Sequence, residues 1–191
     1  MMACVGRWLF GLLVATVLGL GSAVGALHLY GERGTLRVGV WQTSTTAGSV
    51  SSSLYERAGI AIHALFVLSR KETIYYRTYR DSSGQLLHGD CDYVIRGVPP
   101  SARWWSLTVY GEDDYLVANP ANRYSFSATS LPLEADGSFR IAASAVESKG
   151  NWLPIPRGRR FSLTLRLYNP GPGIAEHPES VALPVLEGKC P

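Results

Sequence analysis

The sequence predicts a mainly β protein: a β-sandwich with one amphipathic helix, preceded by an N-terminal transmembrane helix. Three observations carry this. After residue 70, roughly eight or nine short alternating segments succeed one another at about ten-residue spacing, divided by Gly, Pro, Asn and Asp turns. No strand–helix–strand rhythm runs through them, which argues against a parallel α/β sheet. Before them, the run WLFGLLVATVLGLGSAVGALHL from Trp8 to Leu29 holds a single ionisable side chain, His28.

That run has 22 residues. As a helix it would reach about 33 Å, against a bilayer core of about 30 Å. Arg7 and the amino terminus place positive charge ahead of it. A cleaved signal peptide is the alternative, with Val24-Gly25-Ala26 as a small-residue cleavage site. The run is longer than the roughly 7 to 15 residues of a signal core, which favours an uncleaved anchor. Either reading exports the rest of the chain. Arg33 and Arg37 follow closely, so basic-residue counting leaves orientation open.

The cysteines bear on the compartment. Cys4 precedes the apolar run, whereas a lipidated cysteine would have to follow it. Beyond the run stand Cys91 and Cys190. A pair in a domain of this size fits an oxidising compartment and predicts a disulfide, with two unrelated buried thiols as the plainer alternative. No Cys/His ligand spacing occurs, so no metal site is expected.

Apolar residues make up 46% of the chain and charged residues 17%, a balance that favours a packed core over disorder. The net charge is +3. So small an excess, without a basic face, gives no reason to expect nucleic acid as a partner. The densest basic cluster, Arg157, Arg159 and Arg160, lies in a Pro/Gly-bounded loop and is accounted for by solvation or a membrane surface.

The elements follow in order. TLRVGVW, residues 35–41, reads as a short strand, and the polar QTSTTAGSVSSS follows it. A helix starts near Ser53, with Glu56 three positions on in capping-box register. Leu54, Ala58, Ala61, Ile62, Leu65 and Leu68 recur at helical spacing and make one apolar face. ETIYYRTY alternates Thr73, Tyr75, Arg77 and Tyr79 against Ile74, Tyr76 and Thr78. CDYVIRGV is a strand ended by Pro99-Pro100. SLTVY, YLVAN and NRYSFSA read as further strands. LPLEADGSFRIAASAV is a hairpin candidate turning at Asp136-Gly137. FSLTLRLY sets Phe161, Leu163, Leu165 and Leu167 against Ser162, Thr164, Arg166 and Tyr168, and VALPVLE is the last short strand. The organisation expected is an anchor over 1–30, a strand, linker and helix packing on the sandwich over 31–70, and the sandwich over 71–191.

WWSLTVY, NPANRYS, ADGS, NWLP and FSLTLRLYNP occur in that order. Together they resemble a bacterial family known as domain of unknown function 1214, whose pattern runs FWSLTxYD, NPxNRYS, a DG turn, NWLPAP and FxLxLRLYxP. Here Trp104-Trp105 stands for Phe-Trp, Gly111-Glu112-Asp113 for Tyr-Asp, and Ile155 for an alanine. The likeness covers about residues 70 to 187. It implies a jelly-roll-like β-sandwich, in a short membrane-anchored subtype. Longer relatives place a second β domain before this one. The family supplies no catalytic residues to transfer. With the apolar run, the resemblance puts the chain in the bacterial inner membrane, single-pass, with its domain in the periplasm.

Chemistry has little sequence support. There is no GxSxG elbow, and His28, His63, His88 and His177 are scattered. His88 and Asp90 could pair in their loop, although solvation explains them as well. Glu112, Asp113 and Asp114 are glycosidase or calcium candidates only by adjacency, and a solvated turn is the plainer account. No phosphate-cradling glycine loop is present, and no cofactor is expected.

What remains is a candidate ligand-binding set: Trp104, Asn119, Asn122, Arg123, Tyr124, Asn151 and Trp152. Aromatic, Asn and Arg side chains in loops suit glycan or peptide recognition. The same residues equally suit turn closure and packing. Within ARWWSLTVY, alternation assigns Trp105, Leu107 and Val109 to the core and Trp104 to the opposite face. Trp104 is expected to be half-covered by the NRYS or NWLP loops, beside Arg123. Two functions follow. One is a non-catalytic binding or interaction module of the envelope, with a glycan or envelope protein as partner. The other is an enzyme acting on an envelope glycan or ester at one end of the sandwich.

Overall fold

The computed structural model describes residues 2–30, 34–49, 52–63 and 67–190. Arg33 and Leu65 lie outside the described residues, as do the side chains of Cys4, Ile62 and His63. Helix α1, Met2–Tyr30, contains a 25-residue apolar span from Val5 to Leu29. Trp8, Phe10 and Leu18 stand exposed along it. By length and composition it suits a membrane anchor or a signal sequence alike.

The expected strand over 35–41 is instead a hairpin. β1 (Thr35–Val38) and β2 (Trp41–Ser44) pair with Val38 opposite Trp41. The reason is Gly39, whose φ of +60° opens a two-residue turn that a side chain would strain.

Helix α2, Leu54–His63, begins where its cap predicts. Ser53 N donates to Glu56 Oε2 (2.6 Å) and Glu56 N donates to Ser53 Oγ (3.2 Å), which closes a capping box. Its described part packs beside α1, Glu56 Oε1 accepts from Thr46 Oγ1 (3.1 Å) in the segment after β2, and Leu54 is exposed.

The remaining strands are β3 (Thr73–Thr78), β4 (Asp92–Gly97), β5 (Ala102–Gly111), β6 (Ser125–Ser127), β7 (Phe139–Ser144), β8 (Trp152–Pro154), β9 (Phe161–Pro170) and β10 (Val185–Lys189). They form two sheets. One has six strands in the order β1-β2-β3-β9-β5-β6, all antiparallel. The other has four, β10-β4-β7-β8, with β8 parallel to β7.

Three strand expectations change. YLVAN makes one bridge, Leu116 to Tyr110, because Asp113 Oδ1 accepts from Tyr115 N (3.1 Å) and curls the chain into a turn. The Asp136-Gly137 turn forms, and hydrogen bonds from the Ser138 side chain and from Ser138 N (2.9 Å to Oδ1) hold the Asp136 carboxyl below its usual range. Its leading arm is not a strand, since Pro132 has no N–H to give a ladder. The last strand starts after Pro184 for the same reason.

The core lies between the sheets. Ile74 and Tyr76, Leu163, Leu165 and Leu167, and Trp105, Leu107 and Val109 share one face of the large sheet. They meet Tyr93, Ile95, Phe139, Ile141 and Leu186 of the small sheet. Trp41 is buried and donates through Nε1 to Pro184 O (3.0 Å), tying β2 to the approach to β10.

Cys91 and Cys190 are bonded, with Cα atoms 4.2 Å apart. The pairing of Lys189 with Asp92 puts these two cysteines side by side at the ends of β10 and β4.

Candidate functional site

Alternation sends the other half of each strand to the outer face of the six-stranded sheet. Register places these residues in rows. Thr73, Tyr168 and Trp104 align, as do Tyr75, Arg166 and Ser106, then Arg77, Thr164 and Thr108, and last Ser162 with Tyr110. β2 and β1 extend the third row with Gln42 and Arg37. Ser106, Thr108, Ser162 and Thr164 are buried beneath longer neighbours, whereas Tyr75, Arg77, Trp104, Tyr110, Arg166 and Tyr168 are half-exposed. The result is a platform of rings and guanidinium groups above a floor of hydroxyl residues.

Arg166 occupies its middle. Nη2 donates to Tyr110 Oη (2.7 Å) and Nη1 to Thr108 Oγ1 (3.3 Å). The guanidinium carbon lies 5.2 Å from the Tyr110 ring centroid and 5.8 Å from that of Tyr75, so rings from both flanking strands hold the cation. Arg77 is anchored differently. It pairs with Asp114, donates to Ser162 Oγ and stacks on Tyr79 at 5.0 Å. Asp114 reaches it from the turn after β5, where its φ is +63°. Trp104 meets Tyr168 edge to face, with centroids 5.2 Å apart. Beyond Tyr110 and Ser162 the platform ends in a notch of about 240 Å³ lined by Tyr79, Gly111, Glu112 and Arg160.

The structure brings most of the sequence-predicted set together, but without Trp104. Asn119 Nδ2 donates to Val117 O and Arg123 O, and Oδ1 accepts from Arg123 N, which closes the loop on itself. Asn122 takes the left-handed conformation (φ +48°), and Tyr124 Oη donates to its side chain (3.4 Å). Arg123 Nη1 donates to Trp152 O (2.9 Å) while its guanidinium covers the Phe126 ring at 5.3 Å. Asn151 Nδ2 donates to Pro132 O and Arg140 O. Trp152 is 8% exposed, and its Nε1 donates to Ser144 O (3.1 Å). In this cluster the side-chain polar groups of Asn119, Arg123, Asn151 and Trp152 bind backbone. Trp104 does not join it. Thr108 faces Ser125, so Arg123 falls near the level of Tyr110, six residues and about 20 Å along the strand. The ring packed against Trp104 is that of Tyr168, from β9.

The platform's other members were visible as patterns. ETIYYRTY and FSLTLRLY put Tyr and Arg where a merely solvated face would need only small polar residues. Sequence alone does not show that these two rows abut, because β3 and β9 are far apart in the chain.

The remaining candidates are held in turns and surface pairs. Glu112 pairs with Arg160 (3.1 Å), His88 Nδ1 lies 3.4 Å from Asp90, and His177 lies 3.2 Å from Glu179. A second concavity, an open groove of about 620 Å³, crosses the end of the small sheet between Arg96, Glu134, Phe139, Arg140 and Leu183.

Fold and surface together define a class: a two-sheet β-sandwich with one sheet face open, carrying aromatic and arginine side chains. The family described as "Protein of unknown function (DUF1214)" matches residues 72–172, and the chain belongs to it. No curated protein matches the chain. Among solved structures it is similar to the VPA0106 protein of Vibrio parahaemolyticus, at 29% identity and a TM-score of 0.59 over 70% of this chain and 34% of that one. An uncharacterised protein of Burkholderia cenocepacia matches at 15% identity with a TM-score of 0.44, over 91% of this chain and 50% of that one. The chain thus spans about a third of the Vibrio protein.

Proposed function

We propose that this is a membrane-anchored, non-catalytic binding module whose open sheet face takes a glycan of the cell envelope. The carrying observation is the platform itself, in which Trp104, Tyr168, Tyr110, Tyr75 and Arg166 lie on the same face of three hydrogen-bonded strands. Ring faces stack on the apolar faces of sugars, and the guanidinium and hydroxyl rows supply hydrogen bonds. A rigid central-strand platform keeps that arrangement preorganised. Two features favour the anchored, exported setting: the uncovered apolar helix α1 and the Cys91–Cys190 disulfide, which fits an oxidising compartment such as the periplasm. The engagement of Glu112, Asp114 and Arg123 in ion pairs and backbone contacts supports binding over catalysis.

Retention on immobilised envelope polysaccharide tests the reading, with the full chain in detergent micelles. The double variant Trp104→Ala/Tyr168→Ala should lose retention, and Arg123→Gln should keep it. Retention that survives the double variant and fails in Arg123→Gln would return the site to the loop cluster.

A further inference from the structure

We infer that the platform reads negative charge, and that its ligand is an acidic glycan whose sugar carboxylate binds Arg166. This rests on the binding-platform reading above and narrows it to one ligand chemistry.

Arg166 sits half-buried on a central strand, where a cation loses part of its hydration and is normally compensated by a carboxylate. Among the described residues no carboxylate lies within ion-pair distance of it. Its recorded partners are two hydroxyl oxygens and two ring faces. Neither hydroxyl neutralises it, and of the five N–H donors a guanidinium carries, those two bonds leave donors over.

Its neighbours make the contrast. Arg77 pairs with Asp114, and Arg160, at the end of the platform, pairs with Glu112. Arg37, at the β1 edge of the same face, has no carboxylate partner among the described residues either. The outer rows therefore set three arginines against one carboxylate, leaving a net positive face. Thr108 and Tyr110 fix the guanidinium fork before any ligand arrives. A planar, preset fork suits a carboxylate, which it can grip through two parallel bonds.

The rings select the rest of the ligand. Trp104 and Tyr168, half-exposed in the row next to Arg166, offer aromatic surface to a sugar ring beside the charged one. An anionic bilayer fits less well, because lipid-surface segments gather about four to eight Lys or Arg, and this face has two arginines without a carboxylate partner.

The experiment measures binding of the full chain in micelles to polygalacturonate, to dextran as the uncharged comparison, and to phosphatidylglycerol vesicles. Polygalacturonate should bind ~10-fold or more tighter than dextran. Arg166→Gln should abolish that preference while Arg166→Lys keeps part of it, each checked by an unchanged melting transition. Should Arg166→Gln fail to fold, Arg37→Gln serves as the second variant, with a smaller loss expected. Equal binding of both polysaccharides, still lost in Trp104→Ala, overturns the acidic reading and leaves the platform standing. No binding to either by a folded chain removes both. Binding to the vesicles alone overturns the glycan and makes the face a lipid-headgroup site.

Discussion

The indole of Trp105 stacks on Phe139 at 5.5 Å and is 3% exposed, whereas that of Trp104 is half-exposed with Tyr168 as its ring partner. Truncating a buried aromatic leaves a cavity, so Trp105→Ala should lose about 3 to 5 kcal/mol in denaturant titration. Trp104→Ala removes an edge contact and should lose about 0.5 to 1.5 kcal/mol. Equal losses would mean that the outer face is a second core. A pH effect also belongs to single residues. Burial pushes the Tyr76 phenol above its ordinary value near 10, and Tyr93 shifts in the same direction. The unfolded chain ionises these phenols from about pH 10, while the folded chain holds the protons. Their contribution is therefore complete below about pH 10 and is lost as pH rises through the folded values. Tyr76 Oη also donates to Pro178 O (2.7 Å), so Tyr76→Phe should be less stable than the native chain at about pH 8. That gap should narrow as pH rises past about 10, since the variant has no phenol to ionise there. A gap that stays constant would contradict the assignment.

Between residues and the whole, the elements show what holds β10. It pairs with β4 alone at the edge of the small sheet, and the disulfide locks its far end across a separation of 99 residues. A closed loop of that size gives roughly 4 to 5 kcal/mol by chain entropy, with measured values more often about 2 to 4. Cys190→Ser should cost about 2 to 4 kcal/mol, with amide exchange rising first in Val185–Lys189. Uniform exchange across both sheets would show that β10 does not open alone. Much at this scale was legible beforehand. The capping box at Ser53–Glu56, the alternation of FSLTLRLY and the cysteine pair each depend on chemistry within a few residues or on counting. The misreadings have local causes too. Gly39 split one expected strand into two, Pro132 and Pro184 withheld ladder donors, and Asp113 bent YLVAN into a turn. The candidate site was half-legible. Both faces of each strand could be written down, but which strands lie side by side is a long-range fact. That is why local pattern alone pairs Trp104 with Arg123 instead of Tyr168.

For the whole molecule, an apolar helix with exposed side chains precedes a sandwich that shows a charged aromatic face. Alkaline phosphatase fused after Val40 should be active if the domain lies outside the inner membrane, and the intact chain should keep its first 26 residues. A mature chain beginning near Leu27 would instead make α1 a cleaved signal. The central claim concerns the open face of the six-stranded sheet. Hydroxyl-radical footprinting of the full chain in micelles, with and without saturating polygalacturonate, tests it most directly. Protection should fall on Tyr75, Trp104, Tyr110 and Tyr168, with Tyr124 and Trp152 unchanged. Unaltered oxidation of those four rings, or protection centred on Tyr124 and Trp152, would contradict it.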